Sequence, residues 1–406
     1  SREDFFKPFT DVVNNLKLRY SWGEVGSDAG IPRWLYRTEY TMDGGSVQFG
    51  YPLQNYPFIS EGPIPVTDAT WEKATLRDLG IEIGLFQNFI TLTVDLFDEQ
   101  RRDILQTRNR VPSWVGVSSI QGNVGKTKSH GLEIQLGVQH QFPSDLYLYF
   151  NGYYSASESR VIFWDESEFL PDHLKAEGKP VELARRMYGR GVMDNGYYED
   201  FDELFIYPQR VDLKPMVGDL KFLDFDGNGF IDQQDGVVPD NPWEPTSTWN
   251  ATIGGSYKGW SLEMSFYGIS ETERMIRSGG EFFLFPFTQR RNSAYTIHTD
   301  YWRPDNRNAE FPIPHMDALN QYNRYQTQFA MINGKYVRLR NLRIGYQFQA
   351  LKSLGVDNIE CSLNGNNLFT WKKEKWGGDP EGFNYGTDFG AYPNIKRWTL
   401  EFRVKF

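Results

Sequence analysis

The chain of 406 residues lacks most features that anchor or cross-link other proteins of its size. Its single cysteine, Cys361, cannot form an internal disulfide, so disulfide bonds do not hold the fold together. No run of about 18 apolar residues occurs, which excludes a transmembrane helix but does not count against a membrane β-barrel. The net charge of −10 argues against nucleic acid as a partner.

Sequence signals of an active site are equally scarce. The five histidines are scattered without metal-ligand spacing, and there is no GxSxG, HExxH or P-loop motif. Acidic residues in polar segments, such as Glu166 and Glu168, could suggest a glycosidase pair, but solvated loop charge explains them better. We therefore predict that the protein is not an enzyme.

Aromatic residues, in contrast, are abundant. Phe, Trp and Tyr make up 16% of the chain, although its mean hydropathy of −0.56 is that of a water-loving protein. A soluble globular protein would have to bury this aromatic mass. A membrane barrel places it in girdles at the two lipid–water interfaces, while a polar lumen and polar loops lower the average hydropathy. The composition therefore favours a barrel.

The last nine residues show the clearest strand pattern. Trp398, Leu400, Phe402, Val404 and Phe406 alternate with polar residues. This period of two predicts a strand with one apolar and one polar face that runs to the final residue. A soluble antiparallel sheet has the same alternation, so this segment alone leaves both architectures open.

About ten segments carry strand patterns, and short and long connections alternate between them. The predicted strands are Asn15–Val25, Trp71–Phe86, Phe89–Gln106, a segment around Leu132–Val138, Asp145–Ser159, Thr248–Tyr257, Trp260–Ser270, Lys335–Phe348, Asp357–Trp371 and Trp398–Phe406. Outer-membrane barrels have tight periplasmic turns and large extracellular loops, whereas a soluble sandwich has no reason to sort loop lengths in this way. We therefore predict an all-β fold, an antiparallel transmembrane β-barrel with long extracellular loops. The longest of these are Ser27–Asp68, Arg160–Glu244 and Glu271–Gly334.

Two local features refine this prediction. The connections Gln87-Asn88 and Lys258-Gly259 are short enough for tight hairpins. In Tyr336–Phe348 the apolar phase slips by one residue near Arg340-Asn341. Such a slip predicts a β-bulge.

A segment within the longest loop has the spacing of a twelve-residue Ca²⁺ loop. Gly229 falls at position six, where the sharp turn needs glycine, and Ile231 at position eight could be an apolar anchor. The predicted metal ligands, at positions one, three, five, seven (by its carbonyl), nine and twelve, are Asp224, Asp226, Asn228, Phe230, Asp232 and Asp235. We expect a structural Ca²⁺. Mg²⁺ is an alternative because Asp at position twelve reaches less far than Glu, and a solvated turn without an ion remains open.

Several segments together resemble the C-terminal half of SusC/RagA-type TonB-dependent receptors, the nutrient importers of Bacteroidetes outer membranes. The similar segments are LKLRYSWGEVGS (Leu16–Ser27), the block Thr70–Leu105, GDLKFLDFDGNGFIDQQD (Gly218–Asp235), GKYVRLRNLRIGYQF (Gly334–Phe348), NGNNLFTW (Asn364–Trp371) and the terminal strand. They occur in the family's order across nearly the whole chain. The blocks Thr70–Leu105 and Gly218–Asp235 are the most specific.

This resemblance implies a 22-stranded barrel with a plug domain in its lumen. Residues 1–406 would be the C-terminal part of that barrel, with about ten strands, whereas the plug domain and the N-terminal strands are not in this chain. The implied function is TonB-dependent active import of oligomeric nutrients, oligosaccharides or peptides, across the cell outer membrane. The implied partners are a SusD-like lipoprotein lid, the remaining N-terminal portion of the receptor, TonB contacted through that portion, and outer-membrane lipid.

Two other functions stay open from the residues. A passive outer-membrane channel of the porin class would also place polar residues such as Thr91, Thr93 and Asp95 in its lumen, and only the plug distinguishes it from an importer. A surface glycan-binding protein would need an isolated soluble domain. Substrate-binding residues remain unknown.

Overall fold

The structure is a computed structural model of the chain. It describes residues 4–42, 45–110, 120–181, 191–192, 194–210, 213–237, 246–270, 272–276, 284–287, 294–315, 322–324, 328–349, 356, 358–373, 379–381 and 394–405. Among these residues, no helix is both long and apolar enough to cross a membrane.

Ten strands form one antiparallel sheet, as the sequence predicts. They are β1 (Val13–Ser27), β2 (Glu72–Leu85), β3 (Ile90–Thr107), β4 (Gln121–Gln141), β5 (Tyr147–Phe163), β6 (Ser247–Tyr257), β7 (Trp260–Ser270), β8 (Tyr336–Gln349), β9 (Asn358–Lys372) and β10 (Arg397–Lys405). Each strand pairs with the next one along the chain, so β1 and β10 form the two edges of the sheet. The terminal strand thus pairs with β9 on one side and does not pair with β1 in this sheet.

The connections between strands fall into two groups, which lie at opposite ends of the sheet. Tight or medium turns after β2, β4, β6 and β8 form the short-turn end, and the other connections form the long-loop end. At Lys258 and Gly259 both φ angles are positive, at 45° and 88°, which suits the tight hairpin turn between β6 and β7. The turn between β2 and β3 is longer than the predicted Gln87-Asn88, because β2 ends at Leu85 and β3 begins at Ile90.

The predicted bulge in β8 is confirmed. On the β7 side, Ser265 pairs with Asn341 but Phe266 pairs with Leu339, so Arg340 is the extra residue. The pairing of β8 with β9 shifts at the same place. The bulge keeps the apolar side chains of both halves of β8 on one face of the sheet.

One face of the sheet is apolar across neighbouring strands. Val94 of β3 lies directly opposite Ile81 of β2 and Ile134 of β4. The next position along each strand has the opposite character: Thr93 lies between Glu82 and Gln135. Because side chains alternate between the faces of a strand, the sheet has an apolar outer face suited to lipid and a polar inner face suited to an aqueous lumen.

The segments between β5 and β6 and between β7 and β8 fold together into a lobe at the long-loop end. Its short strands are Gly191–Val192, Asp194–Tyr197, Gln209–Arg210, Leu220–Phe222, Phe230–Ile231, Gly236–Val237, Glu273–Met275 and Met331–Asn333. Its helical turns are Asp172–Leu174, Glu203–Ile206, Gln233–Asp235, Thr296–Thr299, Tyr322–Arg324 and Gln328–Ala330. The buried hydrophobic core of this lobe contains Tyr198, Leu220, Phe222, Ile231, Ile276, Leu284, Phe285, Phe311, Tyr322, Ala330 and Ile332.

Smaller elements complete the chain. A 3₁₀ helix, Asp4–Phe9, precedes β1, and the connection between β1 and β2 contains two small hairpins. One pairs Tyr40–Thr41 with Ser60–Glu61, and the other pairs Ser46–Phe49 with Gln54–Pro57. Both lie at the long-loop end.

Candidate functional site

The segment predicted to bind Ca²⁺ forms a tight loop between two short strands of the lobe. Asp224, its first residue, accepts hydrogen bonds from three backbone N–H groups: Gly227 and Asn228 donate to Oδ1, at 2.8 and 3.1 Å, and Gly229 donates to Oδ2 at 2.8 Å. Gly227 and Gly229 have φ angles of 75° and 89°, a conformation that side chains disfavour. The glycines therefore let the chain wrap around the Asp224 carboxylate.

The last residue of the loop, Asp235, binds backbone groups near both ends of the loop. Asp235 is fully buried, and its Oδ1 accepts a hydrogen bond from the N–H of Phe225 at 2.7 Å while its Oδ2 accepts one from the N–H of Asp232 at 2.8 Å. Asp232 caps the short helix Gln233–Asp235 by accepting a hydrogen bond from the N–H of Gln234. One buried carboxylate thus joins the beginning and the end of the loop.

Three of the six predicted ligand residues bring their carboxylates together. One oxygen from each of Asp224, Asp226 and Asp235 lies within 4.8 Å of the other two. Asn228 lies beside this group, because its Nδ2 donates to Oδ2 of Asp226 at 3.0 Å, but its Oδ1 accepts the N–H of Phe230. Asp232 is not among the three convergent carboxylates, and its side chain serves as the helix cap.

The electrostatics of the loop favour ionised carboxylates. Burial raises the pKa of Asp224, but the hydrogen bonds from the N–H groups of Gly229, Gly227 and Asn228 outweigh this effect and hold the pKa below its ordinary value. Each carboxylate oxygen has a second lone pair, so accepting one N–H bond leaves it able to bind a cation. The loop therefore holds negative charge in a preformed geometry.

The loop is anchored in the lobe on two sides. Ile231, the predicted apolar anchor, is buried in the lobe core with Phe222. On the outer side, the ring of His173 lies 4.7 Å from the ring of Phe225, and its Nε2 is 2.6 Å from the carbonyl oxygen of Gln234. Sequence spacing did not indicate this role for His173, because the two segments are far apart in the chain.

A second buried carboxylate stabilises the lobe. Asp219 is fully buried, and its Oδ1 contacts Nε2 of His315 and accepts a hydrogen bond from Nδ2 of Asn323 at 2.7 Å. Its Oδ2 accepts the N–H of Met216 at 2.7 Å. Asn323 in turn accepts the N–H of Leu220. These contacts join the strand before the loop to the segment between β7 and β8, and the sequence showed no signal for them.

The inner face of the sheet carries paired charges and polar residues. Arg19 of β1 reaches across Gly80 to Asp95 at 2.6 Å and also contacts Glu82 at 3.0 Å. A Cβ atom at position 80 would lie 2.3 Å from Oδ1 of Asp95 and 2.8 Å from Nη2 of Arg19, so a side chain there would displace this ion pair. Further along the sheet, the hydroxyl of Tyr149 donates to Glu263 at 2.5 Å. The predicted lumen residue Asp95 thus belongs to an ion-pair network.

At the long-loop end, a buried arginine holds residues 379–381, which belong to the connection between β9 and β10, against the inner face. Arg338 is 1% exposed and contacts Asp379 at 2.6 Å and Glu381 at 3.0 Å. Arg340, the bulge residue, also contacts Glu381 at 2.9 Å. Asn394 donates to both carboxylates from the other end of the connection. These partners are separated by about forty residues in the chain, and the sequence did not indicate them.

Comparison with known proteins agrees with this architecture. Residues 9–368 match the sequence family described as TonB dependent receptor-like, beta-barrel. The chain is similar along its whole length to TonB-dependent receptor P3 of Formosa agariphila, with 24% identity over 41% of that protein. It is also similar along its whole length to the TonB-dependent receptor SusC of Bacteroides thetaiotaomicron, with 22% identity over 39% of that protein.

Solved structures show the same fold. The chain superposes on the RagAB peptide importer in its open-open state with a TM-score of 0.71 at 18% identity, covering 98% of this chain and 40% of that one. Thus the chain spans about 40% of the length of the relatives that it matches. The family match, the SusC similarity and the shared fold agree with the resemblance found in the sequence. The chain therefore belongs to the TonB-dependent receptor β-barrel family, is of the SusC/RagA type, and is located in the outer membrane.

Proposed function

We propose that this chain is the C-terminal barrel portion of a TonB-dependent importer that brings oligomeric nutrients across a Bacteroidetes outer membrane. The observation that carries this proposal is the ten-stranded open sheet with an apolar outer face and a polar inner face. An open sheet cannot lie in lipid with unpaired edges, so β1 and β10 require strands from elsewhere. The other strands, the plug domain and the TonB contact would come from an N-terminal portion of the same receptor.

Oligosaccharides are the proposed cargo. The inner face of β5, β6 and β9 is rich in neutral amide and hydroxyl groups, with Asn151 and Tyr153 on β5, Thr252 on β6, and Asn364 and Asn366 on β9. Such groups match the hydroxyl groups of sugars, and tyrosine rings offer stacking surfaces. Peptides are the second candidate, because the RagAB peptide importer shares the fold.

Active import can be distinguished from passive diffusion by its energy requirement. Uptake of a labelled oligosaccharide by cells with the complete receptor should stop when TonB is deleted or the proton gradient is collapsed. A strain without the receptor supplies the background, and uptake of a small sugar through general porins is the control. Uptake that continues without TonB would contradict import and favour a porin-class channel.

The loop Asp224–Asp235 is proposed to bind one structural divalent cation, Ca²⁺ or the smaller Mg²⁺. The convergence of Asp224, Asp226 and Asp235 supports this, because three like charges at this spacing repel one another unless a cation offsets them. Asn228, the carbonyl of Phe230, and Asp232 are the remaining proposed ligands. The cation would brace the lobe, and we assign the protein no catalytic role.

Cation binding has a direct test. In the complete receptor, refined coordination should show oxygens at roughly 2.3–2.6 Å for Ca²⁺ or about 2.1 Å for Mg²⁺. Asp226→Asn should weaken Ca²⁺-dependent protection of the lobe from proteolysis. Asp172→Asn is the matched control, because Asp172 is an exposed lobe carboxylate that pairs with Lys175. A well-ordered loop without an ion in calcium-replete buffer would refute the proposal.

The lobe is the proposed docking surface for the SusD-like lipoprotein lid. Phe169, Phe201, Phe205 and Ile206 are each at least 73% exposed, which is unusual for large apolar side chains outside an interface. Phe205→Asp should reduce co-purification of the lipoprotein with the receptor. Phe86→Asp, in the turn between β2 and β3 at the short-turn end, is the control because Phe86 is also an exposed phenylalanine. Equal recovery of the lipoprotein with both variants would contradict this docking surface.

A further inference from the structure

Three polar side chains meet near the centre of the inner face, on β5, β6 and β7. Asn250 of β6 lies directly opposite Tyr153 of β5 on one side and Tyr267 of β7 on the other. They face the lumen, because Tyr153 also lies opposite Gln135, which in turn lies opposite Thr93. None of the three strands is an edge of the sheet. We call these three residues the tyrosine–asparagine triad.

The triad lies on the part of the barrel wall that a molecule entering from the long-loop end meets. β6 ends at Tyr257 and β7 begins at Trp260, so Asn250 and Tyr267 are each seven residues from the tight turn. Seven residues span roughly 23 Å along a tilted strand, which places the triad in the half of the membrane span nearer the long-loop end. The next inward position of β7, Ile269, is already buried at the base of the lobe. The triad is therefore directly beneath the lobe.

The triad carries no charge, and two of its side chains are available to a ligand. Asn250 is exposed and Tyr153 is half-buried. Within the described part of the chain, these two side chains make no hydrogen bond, ion pair or ring contact. Nearer the short turns the same strands carry a paired charge, because the hydroxyl of Tyr149 donates to Glu263 at 2.5 Å. An amide offers both donors and an acceptor, and a tyrosine ring offers a flat apolar surface.

The third side chain of the triad is held in place by the bulge of β8. The guanidinium group of Arg340 lies 4.0 Å from the centre of the Tyr267 ring, a cation–π contact. Arg340 is itself fixed by its contact with Glu381 at 2.9 Å. The ring of Tyr336 lies 6.1 Å from that of Tyr267. One wall of the triad is thus positioned before any ligand binds, which lowers the entropy cost of binding.

We propose that the tyrosine–asparagine triad binds one uncharged sugar ring of the imported oligosaccharide. The apolar face of the sugar would stack on Tyr153, its hydroxyl groups would bond with the Asn250 amide, and Tyr267 would form the opposite wall. A neutral sugar fits better than a uronic acid or a peptide terminus, because a charged group would need a counter-charge that the triad lacks. The site rests on the proposed import function for the class of its ligand.

Sugar binding can be measured at equilibrium with the complete receptor purified in detergent, without TonB. The probes are an array of neutral oligosaccharides, uronic-acid oligosaccharides and peptides, followed by calorimetric titration of the neutral oligosaccharide that binds best. The test variants are Tyr153→Ala and Asn250→Ala, and Tyr153→Phe keeps the ring. The matched control is Tyr147→Ala, which makes the same change on the same face of β5 at the short-turn end, where the Tyr147 hydroxyl donates to Gln139 at 3.1 Å.

The expected result follows from the contact that each variant removes. Tyr153→Ala and Asn250→Ala should each weaken binding of the neutral oligosaccharide about tenfold, the loss that corresponds to one stacking or hydrogen-bonding contact. Tyr153→Phe should weaken it less than about threefold, because the stacking ring remains. Tyr147→Ala should leave the affinity unchanged. All variants should keep the heat-resistant gel migration of the unmodified receptor.

Several results would overturn the proposal. Preferential binding of charged oligosaccharides or peptides, or no binding of any neutral oligosaccharide, would exclude the proposed ligand class. Equal affinities of the Tyr153→Ala and Tyr147→Ala variants would exclude the site, and equal losses in Tyr153→Phe and Tyr153→Ala would exclude stacking. Lower heat resistance of Tyr153→Ala with unchanged affinity would assign the triad to packing against another part of the receptor.

Uptake measurements separate this proposal from import itself. If the unmodified receptor binds the oligosaccharide but takes none up in a TonB-dependent manner, the importer proposal fails and the triad is still a sugar site. If the Tyr153→Ala variant binds and imports the oligosaccharide as the unmodified receptor does, the triad proposal fails and the importer proposal is unaffected.

Discussion

An arginine should destabilise the receptor at one position of β3 and be tolerated at the adjacent position. Val94 lies on the apolar face, flanked by Ile81 and Ile134, four residues along β3 from Ile90 at the short-turn end. Val94→Arg would place a guanidinium group in the hydrocarbon region of the bilayer. Such a substitution at the bilayer midplane costs about 2–4 kcal/mol in membrane barrels. We therefore expect a substantial loss of folding stability.

The neighbouring substitution Thr93→Arg is the matched control. Thr93 faces the lumen, where Glu82 lies directly opposite on β2 and Gln135 on β4. An arginine there stays hydrated and meets a carboxylate across the strand pair. Glu82 already contacts Lys17 at 3.1 Å, so the added arginine joins an existing charge network. We expect a change within about 0.5 kcal/mol, as for most exposed substitutions.

The assay is denaturant unfolding of the complete receptor in lipid vesicles, followed by the loss of heat-resistant migration on gels. The Val94→Arg midpoint should fall clearly below that of the Thr93→Arg variant, whose midpoint should match the unmodified receptor. Equal midpoints for the two variants would refute the assignment of the apolar face to lipid. A larger loss for Thr93→Arg would mean that the faces are reversed.

Two further predictions concern the long-loop end and the lipid face. Burial raises the pKa of Asp379, but hydrogen bonds from the Glu381 N–H and from the Arg338 side chain outweigh burial and lower this pKa. The ionised Asp379 carboxylate therefore stabilises the fold fully above its unfolded-state pKa, near 3.9. This stabilisation is lost as the pH falls through the lower folded-state pKa. The protection factors of the Asp379 and Glu381 amides, which correct for the slower intrinsic exchange in acid, should therefore fall as the pH is lowered, and Asp379→Asn should lower them already at pH 7. Equal protection in both proteins at pH 7 would contradict this. Cys361 lies on the apolar face opposite Tyr346, so it should react with membrane-soluble N-ethylmaleimide and not with a charged, impermeant maleimide. Rapid labelling by the charged reagent would place it in the lumen.

The fold was predictable because membrane barrels impose strict alternation. Lipid on one face and water on the other restrict the residue types at positions such as Val94 and Thr93. The alternation of apolar and polar residues is therefore visible in the sequence. The bulge at Arg340 was predictable for the same reason, because an extra residue shifts the alternation of apolar and polar residues along β8 by one position. Strand ends were less predictable, because above the bilayer the strands continue in water, where alternation is no longer required.

The candidate metal loop was predictable in spacing and less so in geometry. A turn that wraps around Asp224 needs glycine at fixed offsets, and Gly227 and Gly229 adopt the required positive φ angles. The use of Asp232 as a helix cap was not predictable, because the same residue type serves as a metal ligand and as a cap. Long-range partners such as His173 could not be foreseen from one sequence.

The ion pairs of the barrel wall were missed for a related reason. Arg19 and Asp95 lie on strands that do not pair directly, with Gly80 between them. Neither residue belongs to a local motif, and their contact depends on the register of three strands. The same holds for the contact of Arg338 with Asp379 at the long-loop end.

A density map of the complete receptor in lipid would show whether this sheet is one part of a larger importer barrel. We expect the free edge of β10 to pair with a strand from outside residues 1–406, and the free edge of β1 to pair with another. Direct pairing of β10 with β1 would mean a small closed barrel and would refute the importer assignment.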